Sequence, residues 1–336
     1  MINELNLEMS RKLHESILKI IKVNPWRYFK SLDFIKIMMP NAKEPIYCNI
    51  VGHHIGVYSI EIYNGISEFD SYLEMHSDAF PEHQKNRFIS NLFCTFGDAE
   101  KFNENRKKLI HNKKVPEIMD EIKFVKNEIG YLQRGINEAE TAFLIEVFEQ
   151  IVAATKKFKY KKTKIHCEDG EVFLYEYNNK KSKWDNKILQ DKFIYPRPEC
   201  KKLIFNDDNM INELKNIECN NEEIEMDGVY INKEVKELKP LLPKIMLYTN
   251  GDNTVKHYCT GTVKDDEKKE YYSMLRKYIK EHGKPKTICV REDRIFHFLL
   301  DMCEKLDINL KWWGELYAID NYVDEIYDDI CMNIKY

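Results

Sequence analysis

From Lys244 to Trp313, short apolar runs bounded by turn residues alternate with stretches whose apolar positions recur every three or four residues. This pattern reads as strand, turn, strand, long helix, strand, helix, strand. Strands are predicted at Lys244–Thr249 and Thr254–Val263, and helices over 266–282, 293–306 and 319–330. That order specifies an α/β layer with a crossover helix and a mixed sheet. Upstream, Lys202–Asn206 reads as a strand, Asp208–Ile217 as a helix, and Glu223–Ile231 as one or two further strands.

The N-terminal part is patterned differently. Leu13, Ile17, Ile20 and Ile21 form one apolar face of a helix over about Asn6–Ile21, which Pro25 ends. Strands at Asp33–Met39, Pro45–Val51 and Gly56–Tyr63 follow, then a helix over Ser67–Met75 with Ser67 as N-cap, a strand at Asn91–Phe96 and a helix at Ala99–His111. Residues 112–134 carry no clear period. Asn137 and Glu140 form a capping-box pattern opening a helix over Glu138–Phe158. A hairpin of Lys164–Cys167 with Glu171–Tyr177 is predicted next, and a strand at Trp184–Leu189. Pro196 and Pro198 impose an extended backbone on the segment that contains them. The expected organisation is therefore an α+β domain over 1–194 built on a small sheet, a linker at 195–200, and an α/β domain over 201–336.

Composition narrows the function classes. At 336 residues and 43% hydrophobic, the chain can build two cores. Acids break every apolar run before it reaches the ~18 residues a membrane helix needs. Met1–Arg11 lacks the basic-then-apolar order of a secretory signal, so a cytoplasmic location is expected. The nine cysteines include no CxxC pair, which suits buried free thiols in a reducing compartment. Richness in Lys, Asn, Ile and Tyr is what the coding bias of AT-rich bacterial, phage or plasmid DNA produces. Net charge is −4, and residues 193–336, with 22 Lys/Arg and 28 Asp/Glu, carry more than all of it. An acidic C-terminal half argues against a general nucleic-acid grip while permitting a local one.

Tyr131-Leu132-Gln133 before Glu138-Ala139-Glu140, with Phe148-Glu149-Gln150 further on, resembles the N-terminal module of a family of uncharacterised bacterial two-domain proteins. Lys286-Thr287-Ile288-Cys289-Val290-Arg291-Glu292, followed by Leu306-Asp307-Ile308-Asn309-Leu310, resembles its C-terminal module. The family's usual Arg-Asp and Gly-Ile are replaced by Arg291-Glu292 and Asp307-Ile308. The resemblance implies architecture and brings no reaction with it. Lys286–Leu310 also looks like the middle of retroviral-integrase and transposase cores, of the ribonuclease H-like class, with Lys244–Thr249 and Thr254–Val263 as the opening hairpin.

That second likeness implies a nuclease whose carboxylates converge on two divalent cations, Mg²⁺ being the one cofactor it needs. Candidate ligands are Asp252, Glu292, Asp293, Asp320 and Asp324. In that class an aspartate sits on the first strand, and Lys244–Thr249 has none. Asp252 lies in a turn that favours Asp for backbone reasons, and Glu292 and Asp293 can cap the following helix.

A second candidate is the basic strip Lys156, Lys157, Lys159, Tyr160, Lys161, Lys162 and Lys164, a conceivable contact for single-stranded nucleic acid. The bland alternative is that its lysines complement a helix C-terminus. His53 and His54 sit beside each other in a turn, which does not make a metal site, and no metal is expected outside the nuclease reading. Trp312, Trp313 and Tyr317 suit either packing against the terminal helix or a protein partner. The sequence favours a non-enzymatic cytoplasmic binding protein of unknown ligand, with a metal-dependent nuclease and a single-strand binder as alternatives.

Overall fold

The computed structural model describes residues 7–30, 33–52, 56–75, 88–110, 122–161, 171–190, 203–231 and 240–332. The chain divides into two compact units. Met1–Tyr72, Ser90–Glu128 and Gln133–Ile194 make the first; Leu73–Ile89, Ile129–Leu132 and Tyr195–Tyr336 make the second. Each is mixed α/β and contains one mixed sheet. No helix among the described residues is long and apolar enough to cross a membrane.

The first unit begins with helix α1 (Leu7–Val23), whose Leu13, Ile17, Ile20 and Ile21 are buried as their spacing requires. Strands β1 (Ile35–Met38), β2 (Ile46–Val51) and β3 (Val57–Asn64) follow, then α2 (Ile66–Met75), β4 (Asn91–Asp98), α3 (Ala99–Ile110), β5 (Lys123–Asn127) and β6 (Arg134–Gly135). Ser67 lies inside α2 and not at its cap, because the helix begins one residue earlier, after Gly65. Asn137 caps α4 (Glu138–Lys161): its Oδ1 accepts the Glu140 N–H at 2.9 Å, and its own N–H donates to Glu140 Oε2 at 2.9 Å.

The small sheet expected here is an eight-stranded one, ordered β6-β5-β4-β3-β2-β1-β7-β8. The growth comes from strands β7 (Glu171–Asn178) and β8 (Lys183–Gln190), a hairpin that follows α4 and adds to the free side of β1. A connection through a helix lets β7 run parallel to β1, which a tight turn cannot do. The Lys164–Cys167 strand expected to pair with β7 falls outside the described residues; β8 is the hairpin partner. Helices α1 and α4 share one core with Ile35, Ile37, Cys48, Ile60, Ile62 and Phe173.

In the second unit, 203–206 is not the expected strand. Its backbone is held by side chains instead: the Phe205 N–H donates to Asp301 Oδ2 at 2.9 Å, and its carbonyl accepts from Lys305 Nζ at 2.6 Å. Helix α5 (Asp208–Lys215) follows, capped by Asp207. Then come β9 (Glu223–Tyr230), β10 (Lys244–Thr249), β11 (Val255–Gly261), α6 (Glu267–His282), β12 (Thr287–Val290), α7 (Asp293–Lys305), β13 (Asn309–Trp312) and α8 (Tyr317–Met332). The proline linker, residues 195–200, lies outside the described residues.

The sheet order is β11-β10-β9-β12-β13. β10 runs antiparallel to β9 and β11, whereas β12 is parallel to both β9 and β13. The central strand is therefore β9, a segment upstream of the hairpin taken to open the sheet. Residues of even number on β9, Ile224 and Met226, pack under α6 and α7. Val229, of odd number, packs with Leu316, Ile319 and Val323 of the opposite layer. Period-two alternation thus sends Glu223, Glu225 and Asp227 toward α8.

Candidate functional site

β9 carries an acid at every second position, Glu223, Glu225 and Asp227, in an otherwise apolar strand. Asp227 is buried. Arg291, immediately past β12, has the same parity as Cys289 and faces the same layer. Its guanidinium lies between two carboxylates, with Nε 2.8 Å from Asp227 Oδ2 and Nη2 2.6 Å from Asp320 Oδ1 of α8. Asp320 Oδ2 accepts the Leu316 N–H at 3.2 Å, and Glu225 accepts the Ile319 and Ala318 N–H groups at 3.0 and 3.4 Å. Strand acids thus satisfy the first turn of α8 and fix it to the sheet.

Burial is incompletely compensated here. Asp227 Oδ1 and Arg291 Nε and Nη1 are inaccessible and, among the described residues, make no hydrogen bond of good geometry, so Nε meets Asp227 as an ion pair only. Burial pushes the Asp227 carboxyl up to about 6 against the opposing pull of Arg291. Burial likewise raises Glu225. The Arg291 proton is held more firmly than usual; its own burial opposes this, but the charges of Asp227 and Asp320 outweigh it.

A second charged group occupies the other face. Lys244, the buried first residue of β10, places Nζ 2.5 Å from Glu267 Oε1 and 3.0 Å from Glu292 Oε1. Arg294 closes the group, with Nη1 3.2 Å from Glu267 Oε2 and Nη2 3.0 Å from Glu292 Oε2. The Lys244 ammonium also lies 5.3 Å from the centre of the Tyr230 ring and 5.7 Å from that of Phe88. Burial is the largest influence on Glu292 and pushes its carboxyl up, yet Lys244 and Arg294 together hold it below the usual range. Gly228 leaves room for this arrangement, since a Cβ there would collide with the Lys244 side chain and the Tyr271 hydroxyl.

The residues singled out from sequence do not form one site. Asp252 is exposed in its turn, where Oδ1 accepts the Thr254 N–H at 3.0 Å. Glu292 is the N-cap residue of α7 but makes no side-chain cap, because its carboxylate is turned to Lys244 and Arg294. Asp293 begins α7, and Asp324 is exposed on α8. Asp320 belongs to the Arg291 group on the other face from Glu292. Among the described residues, no three His, Cys, Asp or Glu side chains are grouped to hold a metal ion. His53 and His54 lie outside the described residues.

In the basic strip, Lys156 is exposed, whereas Lys157 Nζ donates to the Trp184 carbonyl at 2.9 Å and sits 4.8 Å from the centre of the Tyr175 ring. Lys159, Tyr160 and Lys161 continue α4, and Lys162 and Lys164 fall outside the described residues. Trp312, Trp313 and Tyr317 are 37%, 54% and 65% exposed. Asp227, Arg291, Lys244, Glu225 and Glu267 were missed from sequence. The alternating acids of β9 were the available signal for two of them.

Two family models match the chain. Residues 11–175 match a domain of unknown function (DUF7309), and residues 210–327 match a second (DUF6930). No curated protein matches. Among solved structures, the chain is similar to the catalytic core domain of HTLV-2 integrase in complex with magnesium, in its trimeric form. Identity there is 16% and the TM-score 0.24, over 34% of this chain and 76% of that one. A simian T-cell lymphotropic virus intasome bound to the PP2A regulatory subunit B56 gamma gives 14% identity and a TM-score of 0.25, over 34% and 44%.

Proposed function

We propose that this is a non-enzymatic binding protein of the cytoplasm. In this reading its C-terminal unit is a ribonuclease H-like scaffold whose acids anchor ion pairs instead of ligating metal. The strand order supports the scaffold. β9 is flanked on one side by antiparallel β10, with β11 beyond it antiparallel to β10, and on the other, across a helical crossover, by parallel β12 and β13. With β9 as first strand, the class's first-strand aspartate has a counterpart in Asp227. Glu292 follows β12, and Asp320 stands on the last helix.

The observation that carries the reading is the seating of Arg291 between Asp227 and Asp320. A guanidinium there takes both the space and the charge complement that a divalent ion requires, and Lys244 does the same for Glu292. The buried free thiols Cys48, Cys94, Cys289 and Cys303 support a reducing compartment. Engagement of Lys157 inside its own unit weighs against a nucleic-acid ligand, while three exposed aromatic side chains favour a protein one.

The test is hydrolysis of single- and double-stranded DNA and RNA by the full chain in Mg²⁺ or Mn²⁺, beside the Asp227→Asn variant. No difference between the two proteins is expected. Cleavage by the wild type that disappears in Asp227→Asn overturns the proposal and restores the nuclease.

A further inference from the structure

The sequence contains two Asn-Gly steps, Asn64-Gly65 and Asn250-Gly251. Glycine leaves its own backbone nitrogen uncrowded, so that nitrogen can attack the side-chain amide carbon of the asparagine before it. The fold treats the two steps differently. Asn64 ends β3, and Gly65 after it is buried, with its N–H donating to the Pro45 carbonyl at 3.1 Å. The Asn64 N–H donates in turn to Glu68 Oε2 at 2.8 Å. A nitrogen engaged in this way at the entrance to α2 is withheld from the reaction.

Asn250-Gly251 begins the turn between β10 and β11. Its backbone frame is fixed, because the Asn250 N–H donates to the Thr254 carbonyl at 3.0 Å and its carbonyl accepts the Asn253 N–H at 2.9 Å. The two reacting groups inside this frame are not tied down. Gly251 is exposed, and among the described residues its N–H meets no acceptor. Asn250 Oδ1 is buried and likewise has no hydrogen-bond partner among them. The Glu222 carboxylate stands where a Cβ on Gly251 would lie, so only glycine fits there. Glu222 Oε2 accepts the Tyr278 hydroxyl at 2.6 Å and Asn220 Nδ2 at 3.0 Å, which leaves Oε1 beside the Gly251 backbone.

We propose that Asn250 is a self-modification site, at which the Gly251 nitrogen attacks Asn250 Cγ and Glu222 serves as general base. The new C–N bond closes a five-membered imide. The proton that Glu222 takes from Gly251 departs with the Asn250 side-chain nitrogen as ammonia. Water then opens the imide at either carbonyl, giving aspartate or isoaspartate, and no oxidant or reductant is needed. Glu222 is held for this by Tyr278 and Asn220, as a positioned base must be. The product adds a negative charge to a turn that already holds Asp252 and faces Glu222, and like charges so placed repel. Isoaspartate also lengthens the main chain by one carbon just past the Thr249–Val255 pair, which loosens the β10–β11 hairpin from its turn end. The reaction does not depend on what the protein binds.

Incubation of the full chain at neutral pH, with digestion and peptide mass spectrometry at intervals, tests it. The peptide holding Asn250 is expected to exchange NH₂ for OH and to separate into an aspartate and an isoaspartate form, while the Asn64 peptide stays unchanged. In guanidinium chloride, where neither step is folded, both asparagines are expected to convert at similar rates, and Asn250 more slowly than in the folded chain. Glu222→Gln is expected to slow conversion at Asn250 by about tenfold or more, with unchanged circular dichroism. The comparison of folded with unfolded wild type decides the matter if that variant misfolds. Conversion of Asn250 in the folded chain no faster than that of Asn64, or no faster than in the unfolded chain, overturns the proposal, as does a folded Glu222→Gln protein that converts at the wild-type rate.

Discussion

Arg291 holds its Nε 2.8 Å from Asp227 Oδ2 while its Nη2 holds Asp320 at 2.6 Å, so one buried cation joins the central strand to the terminal helix. Removing the cation strands the buried Asp227 carboxylate in an interior that cannot solvate it. Arg291→Met is therefore expected to cost about 3–5 kcal/mol of unfolding free energy, measured by urea denaturation. Adding Asp227→Leu to that variant is expected to recover a large part of the loss, because an apolar pair replaces an orphaned charge. A double variant no more stable than Arg291→Met alone removes the ion-pair account.

Asp227 gives a pH signature of opposite sign to the usual aspartate. Its folded carboxyl titrates at about 6, above the ordinary 3.8, because burial disfavours the charge. The folded state therefore binds this proton more tightly than the unfolded chain does. The stability it contributes is whole below about pH 4 and is lost as pH rises through 6. Compared with Asp227→Asn, the wild type is expected to lose on the order of 3 kcal/mol between pH 4 and pH 7. Denaturant titrations of both proteins at several pH values check this, and a constant difference between them contradicts it.

Gly228 is required by its neighbours, not by its own backbone angles. A methyl group there meets the Lys244 stem and the Tyr271 hydroxyl, two side chains buried in the same layer. Gly228→Ala is expected to destabilise by about 1–3 kcal/mol, despite the better strand propensity of alanine. A thermal melt with an unchanged midpoint shows that Lys244 can move aside.

In the first unit Trp26 donates one indole N–H to two carbonyls, Val51 at 3.0 Å and Ser59 at 3.1 Å, and stacks on Tyr58 with ring centres 4.9 Å apart. Trp26→Phe keeps an aromatic ring but leaves both carbonyls short of a donor. A loss of about 1–3 kcal/mol is expected, seen as a lower urea midpoint with unchanged slope.

Much of the secondary structure was legible because it is local. The apolar spacing of α1, the Asn137–Glu140 capping box and the run from β10 to β13 are all set by residues a few positions apart. Residues 203–206 misled because an apolar run can be held by distant side chains, here Asp301 and Lys305, as well as by a ladder. The first unit's sheet was underestimated for a similar reason. Nothing near β7 in sequence announces that its neighbour is β1, since a parallel partner is reached only through a long connection.

The candidate site was the least legible part. The sequence presented acids as candidates one by one, and taking Lys244–Thr249 as the opening strand hid Asp227. Amino-acid order alone determined most of the strands and helices, though not β5, β6 or the irregular 203–206, and it determined that apolar faces exist to bury and that the thiols carry no paired motif. Tertiary structure alone decided that β9 is central and that Asp227, Arg291 and Asp320 meet. It also decided that Glu292 turns from its helix cap to Lys244, and that β13 ends the sheet with two tryptophans exposed. Local order follows from backbone sterics and side-chain periodicity over a few residues. Whether a buried acid faces an arginine or open solvent depends on strand order, which is set by contacts between residues tens of positions apart.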